Sequence, residues 1–314
     1  MTTRSQETGE SRPPQAAPRT VTWPLAVAAL AIAAVQGTRP RQWPKNLLVF
    51  TAPLAGATLG RAGGFGYALV AFAAFTAASS AVYLVNDVMD AERDRLHPTK
   101  RLRPIASGRL PRRAAIVLAI ALLGVALLAS LAIGEPRLAG VVGAYVTISF
   151  LYSLGLKHVP GAELLVVALG FVLRAIGGAV ATHVPPSAWF LTVCSLGALM
   201  VAIGKRYTEL SVLGDEAVAH RPVMRWYRPW MLRAGQRAAM IIMLVAYLLW
   251  AMSEPDPWMR GWHLTSTLPL AAALFRFDVL TGLADGRPVE DLITRDPTMI
   301  CCELTWLTTF TIGL

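Results

Sequence analysis

Residues 86–94 read NDVMDAERD and come directly after an uncharged run, AFAAFTAASSAVYLV. Continued as a helix at about 100° per residue, Asn86, Asp90, Asp94 and Asp87 fall within one arc of about 100°, and Glu92 points to the opposite side. Three carboxylates and an amide crowded on one face repel one another unless a cation sits among them. Oxygen ligands without His or Cys select a hard cation, Mg2+ or a similar ion. Mg2+ held by few carboxylates keeps waters and completes its shell with phosphate oxygens of a substrate. The pattern therefore predicts Asp87, Asp90 and Asp94 as metal ligands and catalytic groups, with Asn86 beside them and a phosphate or diphosphate as substrate. Each aspartate taken singly has a plainer reading, a solvated helix end salt-bridged to the arginines that follow. Four groups on one face fit that reading poorly.

The next stretch, HPTKRLRPIASGR (97–109), is basic. Pro98 and Pro104 break the helix and turn the chain back. Lys100, Arg101 and Arg103 can then meet anionic phosphates, arginine by paired hydrogen bonds; for each, a bare topology signal is the alternative. Farther on, GKRYTEL (204–210) puts Lys205 and Glu209 on one helical face, with Arg206 about 100° away. Glu209 either ligates a second cation, orients Lys205, or forms an i,i+4 pair worth a few tenths of a kcal/mol. Arg174 stands inside an apolar run, GFVLRAIGG. A charge there is costly and normally faces a polar cavity, unless it snorkels to the interface. Lys157 and His158 lie in YSLGLKHVP, and Arg39, Arg41, Lys45 and Asn46 lie in TRPRQWPKNLLVF, where Trp43 reads as an interfacial anchor. The candidate substrate-binding set is Lys45, Asn46, Asn86, Lys100, Arg101, Arg103, Lys157, Arg174, Lys205, Arg206 and Glu209.

These groups need elements that hold them at one membrane boundary. Of 314 residues, 55% are hydrophobic and 15% charged, with a mean hydropathy of +0.51, against about 25% charged in a soluble domain. The apolar segments are too many for one soluble core, so the class is an all-α polytopic membrane protein. The expected spans are nine: 43–60, 65–87, 112–133, 136–155, 159–182, 187–205, 236–252, 264–283 and 298–314. Residues 1–20, rich in Pro, Ser, Thr, Gln and Arg, read as a disordered tail. Residues 21–37 read as an interfacial or half-inserted helix, since their apolar core of about fifteen residues falls short of the roughly 20 a span needs. Residues 38–314 form the expected nine-helix catalytic domain.

Gly and Ala at close spacing, in GGAVAT and GAYVTIS, suit tight helix contacts in lipid. Lys and Arg collect in loops 86–113 and 205–237, while the outward loops hold only Arg61, Arg137 and Arg260. This places the N-terminus and both charged loops in the cytoplasm. The net charge of +10 is then a topology signal and not a nucleic-acid footprint. Cys194, Cys301 and Cys302 lie in apolar runs and read as packing residues.

On these residues the chain resembles the UbiA-type intramembrane prenyltransferase superfamily. NDVMDAERD is similar to its NDxxDxxxD signature at the end of a second span, and the likeness runs from about residue 36 onward. The resemblance implies a UbiA-like bundle of nine transmembrane helices with a polar cavity on the cytoplasmic side and Mg2+ holding a diphosphate. Most members carry a DxxxD-like second motif after the sixth span; here GKRYTEL stands in its place. With RPRQWPKNLLVFTAPLAG, HPTKRLRPIASG, GLKHVPGAE and RAIGGAVAT, it looks like one branch, the decaprenyl-phosphate phosphoribosyltransferases of actinobacterial cell-wall synthesis. That likeness implies phosphoribosyl diphosphate as donor, decaprenyl phosphate as acceptor and decaprenylphosphoryl-5-phosphoribose as product, on the way to the arabinose donor of arabinogalactan. It implies a multi-pass protein of the bacterial plasma membrane and leaves a homo-oligomer open. Two rivals stand beside it. An isoprenoid transferase acting on an aromatic or quinone ring calls for a second Asp-rich motif, and an ion-coupled transporter calls for charges near the bilayer midplane.

Overall fold

The computed structural model describes residues 23–214, 216–283 and 286–314. The expected tail at 1–20, the first two residues of the 21–37 helix and Asp215 lie outside the described residues. Among the described residues the regular elements are helices, with no strands. The long ones are α1 (Trp23–Gly37), α2 (Gly64–Met89), α3 (Arg112–Ala132), α4 (Pro136–Leu154), α5 (Ala162–Ala181), α6 (Ala188–Leu213), α7 (Pro229–Met252), α8 (Pro257–Leu283) and α9 (Pro297–Ile312).

Seven of these, α2 to α8, are long and apolar enough to cross a membrane. In lipid a helix satisfies its own backbone, which is why such runs fold this way. With 15 residues α1 is short, as is α9 with 16, against the roughly 20 that a span needs. Nine crossings therefore do not follow from helix length. The first expected span, 43–60, is not one helix. A 3-10 helix over Pro40–Phe50 runs into a short α-helix, Thr51–Ala55, because Pro40, Pro44 and Pro53 lack the N–H that a continuous α-helix requires. This broken segment turns one side inward, with Asn46 and Val49 at 0% exposure, and packs that side against α2 and α5.

The helix α5 reaches that segment through GGAVAT. A Cβ on Gly178 would stand 1.7 Å from the Val49 carbonyl oxygen, and one on Gly177 would stand 2.2 Å from the Phe75 ring. Glycine is what lets these surfaces touch. By contrast, Gly143 of GAYVTIS faces open space.

More than half of the most apolar stretch of α2 and of α5 is buried, whereas α3 and α4 mostly face outward. From α2, Ala71, Ala74, Phe75 and Ala78 enter a core with Val49, Leu138, Val142, Tyr145 and Ala181. A second core joins α6 to α9 through Met200, Met243, Phe277 and Met299. Val117, Ile120 and Leu128 of α3 are exposed, as the lipid-facing side of a span requires. Through GKRYTEL, α6 continues to Leu213, and α7 begins at Pro229, so the second charged connection shrinks to residues 214–228.

Candidate active site

At the end of α2 the chain keeps its helical course. The Asp90 N–H donates to the Asn86 carbonyl at 2.9 Å and the Asp94 N–H to the Asp90 carbonyl at 2.8 Å, leading into a short helix, Ala91–Arg95. Asn86, Asp87, Asp90 and Asp94 therefore stay on one side, and all four line a cavity of about 760 Å³. Glu92 points away from it and pairs with Arg95 at 2.8 Å and with Arg112. The hydrogen bond from Arg112 and the charge of Arg95 hold its carboxyl below the usual range.

The basic stretch after the acid cluster folds back as a strap. Pro104, Ile105, Ala106 and Leu110 are buried, and Arg95 Nε donates to the Ala106 carbonyl at 3.1 Å. The return brings Arg103 onto the acids: its Nη1 donates to Asp87 Oδ1 at 3.1 Å and to Asp94 Oδ2 at 2.7 Å. Arg39 also donates to Asp87 Oδ1 and lies over the Tyr83 ring at 4.8 Å. Its backbone takes a left-handed φ of 55°, a strained choice for a side chain of this size that is typical of functional sites.

Asp87 and Asp94 are each 3% exposed, and their charges are engaged by arginine. Asp90 is half-buried and, among the described residues, makes no side-chain hydrogen bond or ion pair. The Asn86 side-chain oxygen is buried without a hydrogen-bond partner. Among the described residues no three of His, Cys, Asp and Glu form a closed metal cage. A partnerless amide oxygen beside a partnerless carboxylate instead fits a hard divalent ion that takes few protein ligands and fills its shell with water and substrate oxygens.

The rest of the lining is largely basic and aromatic. Lys45, Lys100, Lys157 and Arg174 line the same cavity with Tyr83, Tyr145 and Tyr152. Arg174 Nε donates to Asn46 Oδ1 at 2.7 Å, Nη1 to the Gly170 carbonyl at 2.6 Å and Nη2 to the Tyr145 hydroxyl at 3.0 Å. Asn46 itself stands behind the wall, anchored to Thr76 at 3.0 Å and to Ser79 at 3.3 Å. Arg101 is exposed and lies outside the lining.

GKRYTEL stands apart from this cavity. Lys205, Arg206 and Glu209 line a second cavity of about 420 Å³ with Arg221 and Arg287. Arg206 Nε is held by both Glu163 oxygens at 2.8 and 2.9 Å, and its Nη1 by Glu209 at 2.8 Å. Arg221 lines both cavities and donates to the Tyr152 hydroxyl at 3.0 Å. Nearby, the Tyr227 hydroxyl accepts the Gly161 N–H at 2.8 Å, and burial pushes its phenol up.

Several lining groups escaped sequence reasoning. Tyr145, Ser149, Tyr152 and Ser153 sit at i, i+4, i+7 and i+8 of α4, a polar stripe on one face of a span that the run YVTISFLYS already carries. Arg221 had no local signal among the many basic residues of its loop.

The chain has clear relatives. The model of the UbiA prenyltransferase family matches residues 47–284. A decaprenyl-phosphate phosphoribosyltransferase of Mycobacterium tuberculosis is 41% identical over 283 residues, covering 88% of this chain and 92% of the relative. One of Mycolicibacterium smegmatis is 37% identical over 294 residues, covering 88% and 90%. Among solved structures, a UbiA homolog from Archaeoglobus fulgidus bound to GPP and Mg2+ is similar with a TM-score of 0.64 at 17% identity, over 90% of this chain and 98% of that one. This last likeness is one of fold.

Proposed function

The chain belongs to the UbiA prenyltransferase family, and on that premise we propose that it transfers 5-phosphoribose from phosphoribosyl diphosphate to decaprenyl phosphate, releasing diphosphate. The observation that carries the reading is a single cavity with an oxygen-only acid edge and a basic wall that includes a buried arginine. The names of its relatives from Mycobacterium tuberculosis and Mycolicibacterium smegmatis support the same chemistry.

Asp87, Asp90 and Asp94, with the Asn86 oxygen, are the groups that would hold Mg2+. When bound, the ion supplies neutralisation of the diphosphate as it departs. The basic residues hold phosphate groups and orient the ribose. Lys45, Lys100, Arg103, Lys157 and Arg174 face the cavity for this, while Lys205, Arg206 and Glu209 brace the neighbouring loop from the second cavity. In the transfer, a lipid phosphate oxygen forms a bond to ribose C1 as the C1–O bond to the diphosphate breaks, with its electron pair leaving on the diphosphate and the centre inverting. A lipid phosphate is already anionic at neutral pH, so the site needs no strong general base; His158 lines the cavity with the three aspartates, and among the described residues no hydrogen bond or ion pair joins it to them. The cavity opens on the cytoplasmic side of a bacterial plasma membrane, where the charge distribution puts the two basic loops.

The test uses purified protein, Mg2+, labelled phosphoribosyl diphosphate and decaprenyl phosphate. Label should enter the lipid phase, and chelation of the divalent ion should stop it. No lipid label, together with isoprenoid transfer from a prenyl diphosphate, would replace this reading with the prenyltransferase one.

A further inference from the structure

Among the described residues two arginines are buried inside the bundle, and their surroundings differ. Arg206, 4% exposed, is closed between Glu163 and Glu209. Arg174, 5% exposed, has no carboxylate partner; its donors go to an amide oxygen, a backbone carbonyl and a hydroxyl. Its guanidinium also lies over the Tyr145 ring at 4.6 Å. Neutral dipoles and a ring face orient the group but leave its charge uncompensated, and an isolated buried charge is costly. Nor is Arg174 sealed away, since it lines the same cavity as Asp87 and Asp90.

The two ends of that cavity differ in depth. Asn46, which holds Arg174, is fixed to Ser79 of α2. Ser79 precedes Asp87 by about two turns, a rise of about 12 Å along α2, so the contact that anchors Asn46 beside Arg174 lies deeper in the bundle than the acid end. A ligand matched to both ends carries negative charge at both. A prenyl diphosphate would lay hydrocarbon against an unpaired guanidinium. A phosphate monoester would complete it, because the planar fork of arginine matches phosphate oxygens.

Both substrates of the proposed reaction carry a phosphate monoester, the donor at C5 and the acceptor at its head. The acceptor phosphate has to reach C1, next to the diphosphate and so near the acid end. The C5 phosphate lies across the ribose from it. We propose that Arg174, oriented by Asn46 and Tyr145, is the subsite for the donor 5-phosphate and the residue that selects a phosphoribosyl over a prenyl donor. This assignment rests on the function proposed above.

Binding separates the sources. Wild type and Arg174→Met are titrated calorimetrically in detergent, with Mg2+, against ribose 5-phosphate and, separately, against farnesyl phosphate as a short lipid phosphate. Arg174→Met should weaken ribose 5-phosphate by about tenfold or more and leave farnesyl phosphate within about twofold. Unchanged ribose 5-phosphate binding overturns the subsite, and a loss confined to farnesyl phosphate overturns it in favour of the acceptor. If both are lost, Arg174→Lys decides, since it keeps the charge without the fork. Recovery of ribose 5-phosphate binding above Arg174→Met supports the subsite, and no recovery overturns it. Turnover is not involved, so a wild type that binds ribose 5-phosphate through Arg174 yet labels no lipid would retire the proposed reaction and keep the subsite.

Discussion

Asp87 and Asp90 stand one helical turn apart and differ in what holds them. Asp87 is buried and receives Arg39 and Arg103; Asp90 lines the cavity without a side-chain partner among the described residues. Asp90→Ala should therefore cut transfer by about a hundredfold or more while the thermal midpoint of the purified protein stays put. Asp87→Ala should lose activity as well and also lower the midpoint, because two guanidiniums lose an acceptor at a cost of about 1–3 kcal/mol. Near-normal turnover in Asp90→Ala would end its metal role, and equal midpoints for the two variants would end the distinction between them. The shared face of Asn86, Asp87, Asp90 and Asp94 was legible in sequence because helical period alone sets it. The partners were not: Arg39 reaches Asp87 from 48 positions away through a left-handed backbone that no propensity assigns to arginine.

Elements were legible where length and apolar composition suffice and illegible where proline or packing decides. The spans at α2 to α8 follow from runs that only a helix can place in lipid. The segment at 43–60 is apolar enough to read as a span, but its prolines break it, and it lodges between α2 and α5. That lodging depends on Gly178. A Cβ there meets the backbone of Val49, which has no rotamer with which to yield, so Pro40–Phe50 must move and take Asn46 away from Arg174. Gly178→Ala should cost about 1–3 kcal/mol of stability and reduce transfer, whereas Gly143→Ala, with open space around it, should change neither. Thermal unfolding in detergent separates the two, and an unperturbed Gly178→Ala would contradict the close contact. At the start of α9, Asp296 accepts the Met299 N–H at 2.9 Å and two bonds from Arg276 of α8 at 3.1 and 2.8 Å. The Arg276 hydrogen bonds and that N–H hold its carboxyl down at about 2, from an ordinary 3.8. A depressed carboxylate stabilises the fold above its unfolded value and loses that contribution as pH falls through the folded one. Midpoints of wild type and Asp296→Asn should differ near neutral pH and converge toward about pH 2; parallel curves would remove the pair from the α8–α9 junction.

At the scale of the whole molecule, charge is polarised along the bundle. The chain carries 29 Lys and Arg against 19 Asp and Glu, and the excess gathers at the end where α2 finishes, around the acid cluster and the strap. Arg61 precedes α2, while Arg137 and Arg260 lie in the first turns of α4 and α8; these helix starts belong to the other end. The proposed reaction requires the cavity to open to the cytoplasm, the face that retention of Lys and Arg predicts for this end of the bundle. The orientation is testable without turnover. Cys194, Cys301 and Cys302 carry no disulfide and are first replaced by alanine. Arg101→Cys, at an exposed position on the strap, and Arg137→Cys, whose parent side chain is 84% exposed, are then made singly. A membrane-impermeant maleimide added to intact cells should label Arg137→Cys at once and Arg101→Cys only after permeabilisation. The reverse pattern would turn the bundle over and take the donor cavity out of the cytoplasm, leaving the acid cluster and Arg174 facing a compartment for which the proposed transfer makes no sense.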